Sequence, residues 1–298
     1  DIIWQIGTGY FGCRNPDGSF SMERFLEQIE RHPVRAVEIK LSQGAKPGVG
    51  GILPGAKVTP EIAAIRGVEP GVTCVSPSHH GAFSDVDSML DFVEELAEAS
   101  GLPVGIKSAV GEERFWHALA RLMAEGRRGV DFITIDGGEG GTGAGPLTFT
   151  DHVSLPFWIA MSTVHRIFAG AGIADQVLWV GSGRLGIPAR AALAMGLGCD
   201  MINLGRESML SIGCIQAQLC HTGRCPTGVA THSPRLTRGL DPEVQAGHFS
   251  NYIVVLRQEL LELSRACGVP HPAEFNLDHF DILDDRFGRR PAHEVFGY

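Results

Sequence analysis

Residues 132–146 read FITIDGGEGGTGAGP, a short apolar run that ends in an acid and gives way to a loop of little but glycine. The run Phe132–Asp136 is almost continuous in hydrophobicity instead of alternating, the pattern of a parallel strand covered on both faces. A glycine-rich loop directly behind it lets backbone approach a ligand closely or take up positive φ.

The same unit recurs on either side. Ile2–Ile6, Ala36–Leu41, Val72–Ser76, Val104–Lys107, Val177–Gly181 and Met201–Gly205 are comparable apolar runs. Amphipathic helices separate most of them. In Ser84–Ser100 the residues Val86, Met89, Leu90, Val93 and Leu96 form one face. Ser84 is the expected N-cap, with Asp87 three positions on, and Gly101 ends the helix. A late helix carries Ile253, Leu256, Leu260 and Leu263 and stops at Gly268 and Pro270. Strand–helix repetition of this kind means a parallel α/β fold, doubly wound or barrel. No shift of composition marks a boundary, so residues 1–298 read as one domain.

In both architectures the carboxyl ends of the strands carry the site. Here the loops at those ends are long, polar and rich in glycine. The segment from Ser42 to Pro60 is too long for a plain connection, and Lys46 and Lys57 within it are placed to meet an anion. Gly181-Ser182-Gly183-Arg184 follows one strand and precedes a helix beginning near Pro188; Asn203-Leu204-Gly205-Arg206 closes the next. Exposed amides there suit a phosphate, and paired turns after the last strands of a barrel are its usual phosphate site.

The 298 residues carry a net charge of −9, with 44% hydrophobic and 20% charged residues. Such a composition excludes a disordered chain, and the absence of a basic patch argues against nucleic acid or an anionic membrane as partner. Nothing is apolar over a bilayer's thickness, and DIIWQIG at the start is neither a signal peptide nor an initiator, so the chain reads as opening in mid-strand. Seven cysteines, an odd number in a long chain, point to a reducing compartment, hence the cytoplasm.

Cys214, Cys220 and Cys225 stand close together in GCIQAQLCHTGRCPTG. Three buried thiols, a zinc site and a cluster all remain open on spacing alone. Zinc needs a fourth ligand, and His221 is poorly placed beside Cys220; Pro226 after the last cysteine is common in iron–sulfur loops. Cys13, Cys74, Cys199 and Cys267 are single residues in or beside apolar segments and are expected in the core.

Three long strings in order, IKLSQGAKPGVGGILPGAKVTPEIAAIR, DGGEGGTGAGP and CHTGRCPTGVATH, resemble the flavin domain of the glutamate synthase family, over about Gln5 to His232. The cysteine segment looks most like stand-alone FMN-binding members without a fused glutaminase. The resemblance implies a (β/α)8 TIM barrel with FMN at the carboxyl ends of its strands and a 3Fe–4S cluster on Cys214, Cys220 and Cys225. It implies an oxidoreductase that reduces 2-iminoglutarate, formed from 2-oxoglutarate and ammonia, to L-glutamate. The electron donor and the ammonia source, a glutaminase domain or subunit, are then supplied from outside this chain.

Carried over by position, Gln5, Ser182, Gly183, Arg184, Gly205 and Arg206 are expected to bind the flavin. Lys107 would stand by the flavin's N1 and O2, and Lys40, Gln43 and Lys46 would hold the dicarboxylate. The resemblance also places barrel strands one and two upstream of Asp1, makes residues 214–232 the cluster loop, and leaves 242–298 as a helical tail. Two departures stand out: Tyr10 replaces the family's arginine, and Gly138-Glu139 its His-Asp pair. An α-hydroxy-acid-oxidase-type barrel with His79 or His80 as base is one alternative. An FMN/Fe–S electron-transfer or regulatory subunit acting on another amino or keto acid is a second.

Overall fold

The computed structural model describes every residue except Thr142, Ala144, Leu147 and Phe287. Within the glycine-rich stretch after Asp136, Thr142 and Ala144 therefore lie outside the described residues. In chain order the elements begin with β1 (Ile2–Ile6), α1 (Met22–Arg31), β2 (Val34–Lys40), β3 (Ile52–Leu53), α2 (Pro60–Arg66), β4 (Cys74–Val75) and α3 (Val86–Ser100). There follow β5 (Val104–Ser108), α4 (Arg114–Ala124), β6 (Phe132–Asp136), α5 (Phe157–Gly170), β7 (Leu178–Ser182), α6 (Pro188–Gly196), β8 (Met201–Asn203) and α7 (Arg206–Ser211). The chain ends with α8 (Pro234–Thr237), α9 (Pro242–Ala266), β9 (Asp281–Leu283), β10 (Arg289–Pro291) and α10 (Ala292–Phe296).

Six of the seven apolar runs form one parallel sheet in the order β1-β2-β5-β6-β7-β8. All of β6 is buried, which explains why its sequence shows no alternation: helices cover one face and side chains fill the other. Register brings Lys40 of β2 opposite Lys107 of β5, and Asp136 of β6 opposite Ser182 of β7. Four polar side chains are thus delivered to one end of the sheet.

The seventh run behaves differently. Only Cys74 and Val75 are extended, and they pair antiparallel with Ile52 and Leu53, away from the parallel sheet. Pro70-Gly71 and Pro77 cut the run too short to continue, and Val72 and Val75 stay exposed. The hairpin and α2 are therefore an excursion within the β2-to-α3 connection.

Helix α3 is capped by Asp85, not Ser84. Asp85 accepts from the Ser88 amide and Ser88 answers to the cap, a capping box one residue later than expected. Gly101 ends the helix at φ 67°. Met89, Leu90, Phe92, Val93 and Leu96 are buried by it, and each such side chain contributes roughly 1.5–3 kcal/mol. They join a core that runs from Ile6 to Ala292.

The carboxy-terminal stretch is helical only as far as Ala266; beyond it come short turns, the β9–β10 hairpin and α10. Pro270, Pro272 and paired Asp284-Asp285 interrupt helical periodicity there. Of the late stripe, α9 buries Leu256 and Leu260 against α6, while Ile253 and Leu263 remain partly exposed. Cys13, Cys74 and Cys199 are buried as expected, whereas Cys267 is only half-buried. Among the described residues no helix is long and apolar enough to cross a membrane.

Candidate active site

Three adjoining cavities lie across the carboxyl ends of the strands. The first, of about 430 Å3, is lined by Gln5, Lys40, Gln43, Lys46 and Arg66 together with glycines of the 44–51 loop. A chain of net charge −9 thus gathers three cations around one hollow, an arrangement that suits a small dianion. Lys40 donates to Gln43 Oε1 at 3.0 Å. Burial, then the charge of Lys107, hold the Lys40 ammonium below the ordinary lysine range, while Asp136 pulls the other way.

The second cavity, of about 340 Å3, shares Gln43 with the first. Its wall is Lys107, Asp136, Ser182, Gly183, Arg184, Gly205 and Arg206. Gly183 sits at φ +144°, a conformation that L side chains rarely adopt, so this turn needs glycine. Arg184, itself at φ 53°, pairs with Asp151 through Nη2 at 3.0 Å, but its buried Nε finds no acceptor among the described residues. A buried donor left unpaired in a cavity wall suits an anionic ligand.

The third cavity, of about 230 Å3, shares Gly141, Gly205 and Arg206 with the second and is lined by Cys214 and Cys220. Arg206 divides the two; its Nη2 donates to the Glu139 carbonyl at 3.3 Å. Cys225 does not line this cavity. Burial raises its thiol, but hydrogen bonds from the Thr227 hydroxyl and the amides of Ala230, Thr227 and Val229 outweigh that and hold it below the ordinary range. Among the described residues no three His, Cys, Asp or Glu side chains converge as a single metal ion requires.

The structure therefore brings Lys40, Gln43 and Lys46 together in one hollow and Lys107, Ser182, Gly183, Arg184, Gly205 and Arg206 in the next. Gln5 departs from expectation. It lies with the lysines and donates to Glu38 Oε1, a buried carboxylate that also accepts from Thr134 Oγ1. Lys57 does not face the anion hollow; its Nζ donates to the carbonyls of Cys220 and Ala230. The extra turn Gly55–Lys57 carries it past the cavity mouth toward the cysteine segment.

His80 is no free base. Its Nε2–H donates to the Lys40 carbonyl at 2.9 Å, and Nδ1 accepts from the Tyr10 hydroxyl at 3.2 Å. Burial depresses its pKa, in keeping with a neutral ring. Tyr10, 2% exposed, lies in the core and accepts from the Ala82 amide at 3.0 Å, so it takes no part in the lysine cavity. Glu139 caps α5: its two oxygens accept from the Phe157 amide at 3.1 and 2.9 Å.

Sequence reasoning missed Asp136, Glu38 and Arg66. Asp136 accepts from the Gly44 amide at 2.9 Å and the Ser182 hydroxyl at 2.8 Å. Gly44 comes so near that a Cβ on it would stand 1.8 Å from the Gly137 carbonyl oxygen. An acid inside an otherwise apolar strand was the available signal for both carboxylates. Arg66 lies over the Phe11 ring at 4.6 Å and carried none.

Comparison with known proteins bears on the fold and the family. In fold, the chain resembles flavocytochrome b2 with sulfite bound (TM-score 0.53, 16% identity, 93% of this chain and 54% of that one). It likewise resembles the flavin-binding domain of baker's yeast flavocytochrome b2 (TM-score 0.51, 15% identity, 91% and 52%). The six-stranded sheet is thus a half-barrel of the (β/α) type. In sequence, it is 42% identical to the glutamate synthase large subunit-like protein YerD of Bacillus subtilis over 94% of this chain and 53% of that protein. It is 35% identical to the archaeal glutamate synthase (NADPH) of Methanocaldococcus jannaschii, over 90% and 50%. The chain spans about half the length of these curated relatives. Residues 1–270 match the model of the conserved region in glutamate synthase, and with the relatives' identity along nearly the whole chain this makes the protein a member of the glutamate synthase family.

Proposed function

We propose that this chain is the glutamate-forming part of a glutamate synthase, with FMN bound across the second cavity and 2-oxoglutarate held in the first. The observation that supports this most is their shared wall. Gln43 borders both hollows, so a dianion gripped by Lys40, Lys46 and Arg66 would adjoin the flavin. The residues present fit one phosphate: the orphaned Arg184 Nε, the Gly183 turn, and Gly205, where an added Cβ would meet nothing within 4 Å. Ser182 borders the same cavity, but its hydroxyl is committed to Asp136. When bound, FMN would supply the two-electron reduction of 2-iminoglutarate, formed from 2-oxoglutarate and ammonia, to L-glutamate.

The chain's own residues do the rest. Lys107, kept in place by Asp136, supplies positive charge that favours a reduced, anionic ring without reorganisation. Lys40, Lys46 and Arg66 orient the two carboxylates, and Gln43, steadied by Lys40, lies between substrate and cofactor. Cys214, Cys220 and Cys225 would hold a 3Fe–4S cluster, a one-electron carrier; three thiolates suit iron, and two of the sulfurs already share a cavity beside Arg206. We read residues 1–298 as one domain of a complete barrel whose remaining strands, electron donor and ammonia source lie outside these residues. Seven unpaired thiols support a cytoplasmic setting.

Two measurements test this. Heat-released flavin should be FMN and not FAD, and Gly183→Val should lose it while far-UV circular dichroism is unchanged. In anaerobic stopped flow, 2-oxoglutarate plus ammonia should reoxidise the reduced flavin. If no keto acid in a broad panel does so, the electron-transfer subunit becomes the better account.

A further inference from the structure

Lys57 belongs to the loop that carries Lys46, yet it reaches a different part of the molecule. Its ammonium donates to the carbonyls of Cys220 and Ala230, the latter at 3.3 Å. Its Cε lies against Gly223, 3.6 Å from where a Cβ on that glycine would stand. From the opposite side, His221 Nδ1–H donates to the Gly143 carbonyl at 3.1 Å. The segment between these clamps has little regular structure, a single turn over Cys220–Thr222, and α8 starts only beyond it at Pro234. Its remaining bonds are mostly local, such as Thr231 Oγ1 to the Gly223 carbonyl and Thr222 Oγ1 to the Leu219 carbonyl. Its position therefore depends on contacts from other loops, and among the described residues Lys57 is the charged side chain from outside that grips its backbone.

The path from Lys46 to Lys57 is stiff. Gly50 lies so near the Ser76 carbonyl that a Cβ on it would stand 2.0 Å from the oxygen, β3 pairs with β4, and the Gly55 amide donates to Thr73 Oγ1 at 3.0 Å. A ligand that fixes Lys46 thus limits where the Lys57 ammonium can stand.

We propose that Lys57 is a positioning residue that couples occupancy of the lysine cavity to the order of the cysteine segment 214–232. Coupling of this kind is reciprocal: whatever orders the cysteine segment favours ligand in the lysine cavity by the same factor. The choice of ligand rests on the proposed function; the clamp itself does not.

Hydrogen exchange on the whole protein tests it, with 2-oxoglutarate as the probe. In the parent, 2-oxoglutarate should slow exchange in peptides covering both 42–60 and 216–231. In Lys57→Met the slowing should be confined to 42–60, and without ligand 216–231 should exchange roughly tenfold faster, as loss of one charge-assisted hydrogen bond implies. Lys57→Arg should restore the joint response, and Lys57→Gln, with a neutral donor, should fall between. An unchanged rate in 216–231 of Lys57→Met or Lys57→Gln overturns the proposal, as does a joint response that survives both. If 2-oxoglutarate slows neither segment in the parent, the substrate reading fails instead, and the ligand-free rates alone decide the role of Lys57.

Discussion

Lys107 and Asp136 face each other from the neighbouring strands β5 and β6, with Nζ 3.7 Å from Oδ2 and side chains only 16% and 8% exposed. The same carboxylate takes the Gly44 amide and the Ser182 hydroxyl, so one acid ties the ends of β5, β6 and β7 to the loop leaving β2. Asp136→Ala would leave a largely buried ammonium and two donors without an acceptor. Breaking a buried pair on one side costs about 3–5 kcal/mol, and the urea midpoint should fall accordingly. Asp136→Asn keeps one acceptor oxygen and should cost less. A loss of about 1 kcal/mol or below for the alanine variant, as at exposed pairs, would mean that Asp136 is not the tie it looks to be.

Much of this was legible in the sequence. Continuous apolar runs mark strands covered on both faces, and glycine-rich loops behind them mark the working end of the sheet. The run at Val72 misled because hydrophobicity alone cannot say whether a short segment has a partner in the main sheet; its flanking prolines were the clue. Arg66 was invisible because its role depends on how α2 folds back over the first cavity. The position of Tyr10 could be aligned, but not the direction of its side chain, which φ 49° turns toward His80 and Phe20. The spacing of Cys214, Cys220 and Cys225 likewise says nothing of how far their sulfurs converge.

Tyr10 supplies a second prediction. Its hydroxyl donates to His80 Nδ1 and accepts from the Ala82 amide. Tyr10→Phe leaves the buried His80 ring without its donor, while the exposed Ala82 amide can turn to water, and should destabilise the fold by about 1–3 kcal/mol. Because Tyr10 stands off the lysine cavity, 2-oxoglutarate affinity should change little in the variant. A large loss of affinity with unchanged stability would return Tyr10 to the substrate site.

The cysteines should divide by reactivity. Burial pushes the Cys13 thiol up to about 12 and the Cys199 thiol higher still, while Cys214, Cys220 and Cys267 are only half-buried. Native protein freed of any metal and treated with iodoacetamide at neutral pH should be labelled first at the half-buried set, with Cys13 and Cys199 modified only on unfolding. Peptide mass spectrometry reads this directly. Labelling of Cys13 as fast as Cys220 would show that the core around it opens more readily than its packing implies.

Lys40 should be a charge that weakens the fold until an anion arrives. Burial, and then the Lys107 charge opposite it in register, hold its ammonium below the ordinary lysine range. The native state therefore gives up this proton more readily than the unfolded chain. Between the depressed native pKa and the ordinary value the unfolded chain binds more protons, so stability rises with pH across that window; below it, the full penalty applies. Lys40→Met should accordingly be more stable than the parent near neutral pH, with a gain that shrinks as pH climbs toward the ordinary lysine value. The lost 3.0 Å hydrogen bond to Gln43 opposes this by about 1 kcal/mol, since Gln43 is half-buried and can turn to water. A dianion in the cavity favours the charged lysine, so 2-oxoglutarate should bind with proton uptake at alkaline pH, visible by calorimetry in buffers of different ionisation enthalpy. If Lys40→Met is less stable near neutral pH by an amount that does not vary with pH, the lysine is held by its neighbours and not strained by burial.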